Sequence, residues 1–208
     1  MDALTPPHSL ASPPRGSVCP LPDKQSFEAL AIPELIARYR VGVENFDRRV
    51  FQLTGEQLDT AFRPEVGVGR WPVRVLLGHL ADAELPFVHR CRKAVAEANP
   101  MFCNWDEEAF IDSGLYNAQP IGAAIAVIHT VRLWAAGWFE SLAPDDWNRR
   151  GLHSVRGEQT VRGMMWYYTW HLENHASYLN RKVERMLGPR AEIESKSTGR
   201  CGPGCACH

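Results

Sequence analysis

The sequence predicts an all-α fold, a four-helix bundle with long links and disordered termini. Three observations predict it. Four long segments carry apolar residues at steps of three and four, the pattern of a helix with one buried face. No β-rich block and no internal repeat lies between them. The 208-residue chain is 45% apolar and 23% charged, with seven Trp and eight Phe, enough for one packed core.

The first helix is expected from Pro33 to Thr54, where Leu35, Tyr39, Val43, Phe46, Val50 and Leu53 form one face. Pro33 suits a first helical position. "TGEQLDTAFRPEVGVGRW" then breaks the chain. The second helix is expected from Pro72 to Ala98. Pro86 inside it removes a backbone hydrogen bond and crowds the Asp82 carbonyl, which predicts a kink beyond His79. After the irregular link "NPMFCNWDEEAFIDSGLYNAQP", a third helix runs from Ile121 to Leu142, with Ile121, Ile125, Ile128, Leu133, Trp134 and Trp138 as its apolar residues. "APDDWNRRGLHSVRGEQ" turns the chain back and can hold a short hairpin. The fourth helix spans Thr160 to Leu187, and Gly188-Pro189 ends it.

Residues 1–28, rich in Pro and Ser, read as a disordered extension, 29–188 as the bundle, and 189–208 as a flexible tail. The extension has no apolar stretch of the signal-peptide kind, and no apolar run reaches the roughly 20 residues of a membrane span. The formal net charge of −1 gives no electrostatic case for nucleic acid or an anionic membrane. Without a signal peptide, the six cysteines do not suggest a disulfide framework, and a cytoplasmic location is expected.

The chemistry starts at "YYTWHLENHASYL". His171 and His175 stand one helical turn apart, so their rings can aim at one point. Such a pair begins many sites for Zn, Ni, Fe or Cu. The zincin motif H-E-x-x-H is not present, because Leu172 follows His171. The two histidines continue an inward stripe with Met164, Tyr168 and Tyr178, and a buried imidazole needs a partner. His79, on the apolar side of the second helix, can supply a third nitrogen. Three such ligands leave coordination positions open, as catalytic sites do. Of the other histidines, His89 belongs to the surface, His129 can be core or approach the site, and His153 lies in a loop.

"GRWPVRVLLGHLADAE", "WDEEAF" and "YYTWHLENHASYL", in this order, resemble the DinB-like superfamily of four-helix bundles. The nearest branch is that of metal-dependent hydrolases also called bacillithiol transferases. The resemblance spans roughly residues 30–187. It implies an up-down-down-up bundle, a homodimer, and one divalent ion, Zn or Ni, on His79, His171 and His175. In "WDEEAF", Trp105 and Phe110 replace the branch's flanking aromatics. Asp106 and Glu107 are candidate catalytic carboxylates, as general base or as the group that orients a ligand histidine. Asp82, nearly on the face of His79, is another candidate. Trp105, Tyr168 and Trp170 are candidate substrate-binding residues, although helix bundles also bury such aromatics as core.

The expected function is a metal-dependent enzyme acting on a small molecule. With water as nucleophile it hydrolyses; with a low-molecular-weight thiol it transfers the thiol to a small electrophile, which the resemblance favours. The alternative is a non-catalytic metal-binding or stress-response protein working through the tail "CGPGCACH". Its Cys201, Cys205, Cys207 and His208 suit a soft metal.

Overall fold

The computed structural model describes residues 20–190; Cys201, Cys205, Cys207 and His208 lie outside them. Asp23 caps a first short helix, α1 (Lys24–Glu28), accepting from the Gln25 backbone N–H at 3.3 Å. This helix falls within the segment read from sequence as disordered. Phe27 is buried, and Arg162 of the last helix donates to the Glu28 and Leu30 carbonyls, so the segment is tied to the bundle.

The four bundle helices are α2 (Ile32–Arg40), α4 (Val73–Ala96), α6 (Ile121–Glu140) and α7 (Val161–Leu187). Between them come α3 (Gly55–Leu58), closed by a Thr54–Gln57 capping box, and α5 (Glu107–Asp112). Three short strands, β1 (Met101–Phe102), β2 (Arg150–His153) and β3 (Gly157–Thr160), make one small sheet. β2 and β3 are the expected hairpin; β1 adds in parallel, with Met101 opposite Leu152. Gly151 makes this possible, because a Cβ there would stand 2.2 Å from the Phe102 ring. The sheet ties the long link after α4 to the hairpin before α7.

α4 packs on α6 and α7, and α2 packs on the same two. Two apolar clusters fill the bundle. One is built around Tyr39, Phe87, Phe139 and Met165, the other around Leu77, Ile128, Leu172 and Leu179. Between them, along α4 and α6, lies a buried polar layer. Arg132, fully buried, donates to Glu84 at 2.7 Å through Nε and to the carbonyls of Tyr39 and Tyr168 at 3.1 Å each. The Tyr39 hydroxyl donates to the other Glu84 oxygen at 2.8 Å. Every oxygen of the carboxylate therefore has a donor, which a buried ion pair requires.

This layer explains why the first helix is shorter than its periodicity predicts. α2 ends at Arg40, and 3₁₀ turns at Gly42–Asn45 and Arg48–Gln52 replace the expected helix to Thr54. The Tyr39 carbonyl accepts from Arg132, and a Cβ on Gly42 would come within 2.4 Å of the Arg132 guanidinium. Asp47 then accepts from the Arg49 backbone and turns the chain again. The helical face of α6 also differs from expectation. Ile128, Arg132, Ala136 and Phe139 point inward, while Leu133 and Trp134 are exposed and Arg92 lies 5.0 Å from the Trp134 ring. By length and composition α6 could cross a membrane, contrary to the sequence reading, but here it packs on α2 and α4 and carries the buried Arg132. α4 remains helical through Pro86.

Candidate metal centre

α4 brings one imidazole to the site and α7 brings two. His79 Nε2 and His171 Nε2 lie 3.3 Å apart, and one ring nitrogen from each of His79, His171 and His175 falls within 4.8 Å of the others. The His171 and His175 rings meet edge to face at 4.6 Å, the geometry that i, i+4 spacing permits. The residue before His79 must be small: a Cβ on Gly78 would stand 2.3 Å from the Tyr116 ring.

Aromatic rings hold the histidines from several sides. Trp71 stacks on His175 (5.6 Å, 13° between planes) and leans on His79 at 4.8 Å. Trp105 stacks on His79 at 5.3 Å, and Tyr167 on His171 at 6.0 Å. Trp71 is carried by a loop that Lys182 secures from α7. The buried Lys182 ammonium donates to the carbonyls of Val68 and Gly69, and Gly69 has φ +79°. Gly69 thus supplies the left-handed residue that this turn demands.

Burial sets the protonation of the trio. It pushes His79 down to about 3, with His175 beside it adding to the effect. It pushes His175 down to about 4, helped by Lys182, and holds His171 well below the ordinary imidazole range, helped by the two other histidines. All three rings are therefore neutral near pH 7, the form in which imidazole offers a lone pair. Two facing Nε2 atoms cannot both keep a proton between them, and the set of three nitrogens can hold a metal ion. His79 Nδ1 is buried with no hydrogen-bond partner among the described residues; Glu107 Oε2 is 3.9 Å away. The residues present thus fit a metal.

Beside the trio opens a cleft lined by His171, Trp105, Glu107, Tyr168, His153 and Arg156, with Arg90, Asn104, Tyr167 and Ala83 completing it. Of the residues expected from sequence, His79, His171 and His175 come together as the trio, and His171, Trp105, Glu107 and Tyr168 line the cleft beside it. Three others do not. Asp82 accepts from the Tyr116 hydroxyl at 2.9 Å. Asp106 caps α5, accepting from Ala109 N–H at 3.1 Å. Trp170 faces the N-terminal segment: its indole N–H donates to the Pro22 carbonyl at 3.0 Å, and Lys24 lies 5.1 Å from its ring. His89 and His129 are exposed, while His153 is buried at the end of β2 rather than free in a loop. Sequence reasoning missed Trp71, Tyr167, Arg90 and Arg156 as site residues. Trp71 had a signal, its place inside "GRWPVRVLLGHLADAE"; Arg90 and Tyr167 lie on α4 and α7, and Arg156 is brought in by the hairpin.

The sequence profile of the DinB superfamily matches residues 38–179, which include all three histidines. The chain belongs to the DinB superfamily. Among its relatives is a protein of Oceanobacillus iheyensis, 29% identical over 136 residues (65% of this chain, 76% of the relative). Another, from Bacillus licheniformis, is 29% identical over 138 residues (65% and 75%). Both are provisionally named metal-dependent hydrolases. The structure of YfiT from Bacillus subtilis, described as a probable metal-dependent hydrolase with an unusual four-helix bundle topology, aligns with a TM-score of 0.68. It covers 77% of this chain and 91% of YfiT at 20% identity, so the likeness is one of fold.

Proposed function

We propose that this DinB-superfamily chain is a metal-dependent hydrolytic enzyme acting on a small molecule, with His79, His171 and His175 holding one divalent ion, Zn or Ni. One observation carries this reading. Three neutral imidazoles from two helices converge, and one of them, His171, lines a cleft that also holds a carboxylate. Bound there, such an ion supplies Lewis acidity and lowers the pKa of a nucleophile. The chain's own residues do the rest. Trp71, Trp105 and Tyr167 lock the imidazole rings by stacking and exclude water from their faces. Glu107, the one carboxylate among the described residues that line the cleft, accepts the proton of the nucleophile. Tyr168 lines the cleft with its hydroxyl accepting from Arg90 at 3.3 Å.

The names of the relatives favour water as the nucleophile. A low-molecular-weight thiol entering the same cleft would be activated by the same groups, and the resemblance first noted in the sequence motifs points that way. A panel of small esters and amides, and of electrophiles with added thiol, assayed on the chain loaded with Zn or Ni, tests the reading. Turnover in either arm, lost on His171→Ala, supports it and assigns the nucleophile. Turnover that survives both His171→Ala and chelation would refute it.

A further inference from the structure

The cleft beside the histidines mixes acceptors and donors. His171 and Glu107 share its wall with Trp105 and with His153 and Arg156 of the β2–β3 hairpin. His153 Nδ1 accepts the backbone N–H groups of Val155 and Arg156 at 3.2 Å each, which shapes the turn and puts the ring proton on Nε2. Burial, with Arg90 and Arg156 nearby, holds His153 below the ordinary imidazole range, in keeping with a neutral ring.

Three groups of donors in this wall have no acceptor among the described residues; of these only the Trp105 indole N–H is a buried atom, and Arg156 is exposed. The His153 Nε2–H is one. The Arg156 guanidinium is another: its contact is with the face of Tyr167, 5.2 Å from the ring centre, which leaves the edges of its planar fork free. The third is the Trp105 indole N–H, which is buried without a partner. Arg90 adds a second positive charge, although its N–H groups already serve the Tyr168 hydroxyl and the Cys103 carbonyl, the latter at 2.6 Å. Unused N–H donors with two guanidinium groups make an environment for an oxyanion, not for a cation or a purely apolar group.

Granted the enzymatic site proposed above, we infer that its substrate carries an oxyanion, a carboxylate or a phosphate, which Arg156, His153 and Trp105 bind. The reacting group then lies toward His171 and Glu107. Glu107 sharpens the orientation, since it repels an anion placed beside it. The hairpin between α6 and α7, with Trp105 of the link, therefore sets substrate class, while the histidines of the helices set the chemistry.

The test is direct binding to the full chain stripped of metal, so that no ion can capture the probe. N-Acetylglycinate is compared with its neutral isostere N-acetylglycinamide, and inorganic phosphate is the second anion. Affinity and the shift of the Trp105 indole ¹H–¹⁵N resonance are measured. The anion should bind at least about tenfold more tightly than the amide, with a preference that shrinks as salt rises. Arg156→Gln should remove that preference, Arg156→Lys should restore part of it, and His171→Ala should leave it intact. Preference for phosphate over the carboxylate, or the reverse, says which oxyanion the site is shaped for. Equal binding of acid and amide, or a preference that survives Arg156→Gln, would overturn the inference. Loss on His171→Ala instead would do the same, because it would place the anion at the histidines. Failure of the enzymatic reading shows differently, as an absence of turnover with the anion preference still present.

Discussion

His79 Nε2 and His171 Nε2 face each other across 3.3 Å, from helices whose residues are 92 positions apart in the chain. Both rings are kept neutral, so at most one proton can lie between the two nitrogens, and at least one lone pair remains to be used. The surrounding protein maintains this arrangement through stacked indoles, a glycine that admits Tyr116, and a buried arginine–glutamate layer one turn away.

The role of Glu107 separates two effects. Glu107→Gln should lower turnover by roughly 10²–10⁴-fold while metal stays bound, as loss of a general base does. Turnover and metal affinity measured on the same preparation check it. If metal affinity falls and turnover at saturating metal does not, Glu107 serves only to orient His79 through the Nδ1 that lies 3.9 Å away.

Acid should destabilise the metal-free protein through its histidines. The folded pKa of His79 is depressed from 6.5 to about 3. Between those values the unfolded chain binds the extra proton, so stability present above pH 6.5 is lost as pH falls toward 3. His79 alone contributes a slope of about 1.4 kcal/mol per pH unit. Urea unfolding of the metal-free chain at pH 7 and pH 5 should show a loss that is roughly 2 kcal/mol smaller in His79→Gln. Identical pH dependence in the two proteins would contradict the assignment.

The buried ion pair should be expensive to split. Glu84→Gln leaves Arg132 charged, fully buried and short of an acceptor charge. A loss of about 3–5 kcal/mol is expected, and Glu84→Gln combined with Arg132→Met should lose less than the two single changes added together. Chemical denaturation of the four proteins closes the cycle.

Gly78→Ala places a methyl group 2.3 Å from the Tyr116 ring. The ring must move, together with its bond to Asp82. We expect a stability loss of roughly 1–3 kcal/mol, as overpacking gives, and weaker metal binding at the adjacent His79. Thermal unfolding and a metal titration check both parts.

The period of the apolar residues and the i, i+4 histidines were legible in sequence because both are local patterns on single helices. The end of α2 was not, because Arg132 reaches the Tyr39 carbonyl from 93 residues away. The same arginine misled the reading of α6, where apolarity favoured Leu133 and Trp134 over a charged residue that is in fact buried. Asp82 was singled out by its spacing from His79 and Asp106 by its place in "WDEEAF"; the structure gives them a tyrosine hydroxyl and a helix-cap N–H to accept from, partners that only the fold reveals. Trp71 and Arg156 reach the site only through a loop and a hairpin whose pairing is non-local.

The measurement that most directly tests the central claim is the metal content of the purified full chain by elemental analysis. It is made beside His171→Ala and beside a chain with Cys201→Ser, Cys205→Ser and Cys207→Ser. The account predicts about one divalent ion per chain, kept when the cysteines are replaced and lost with His171. Metal that stays in His171→Ala and leaves with the three cysteines would contradict it, and would move the working site to the tail.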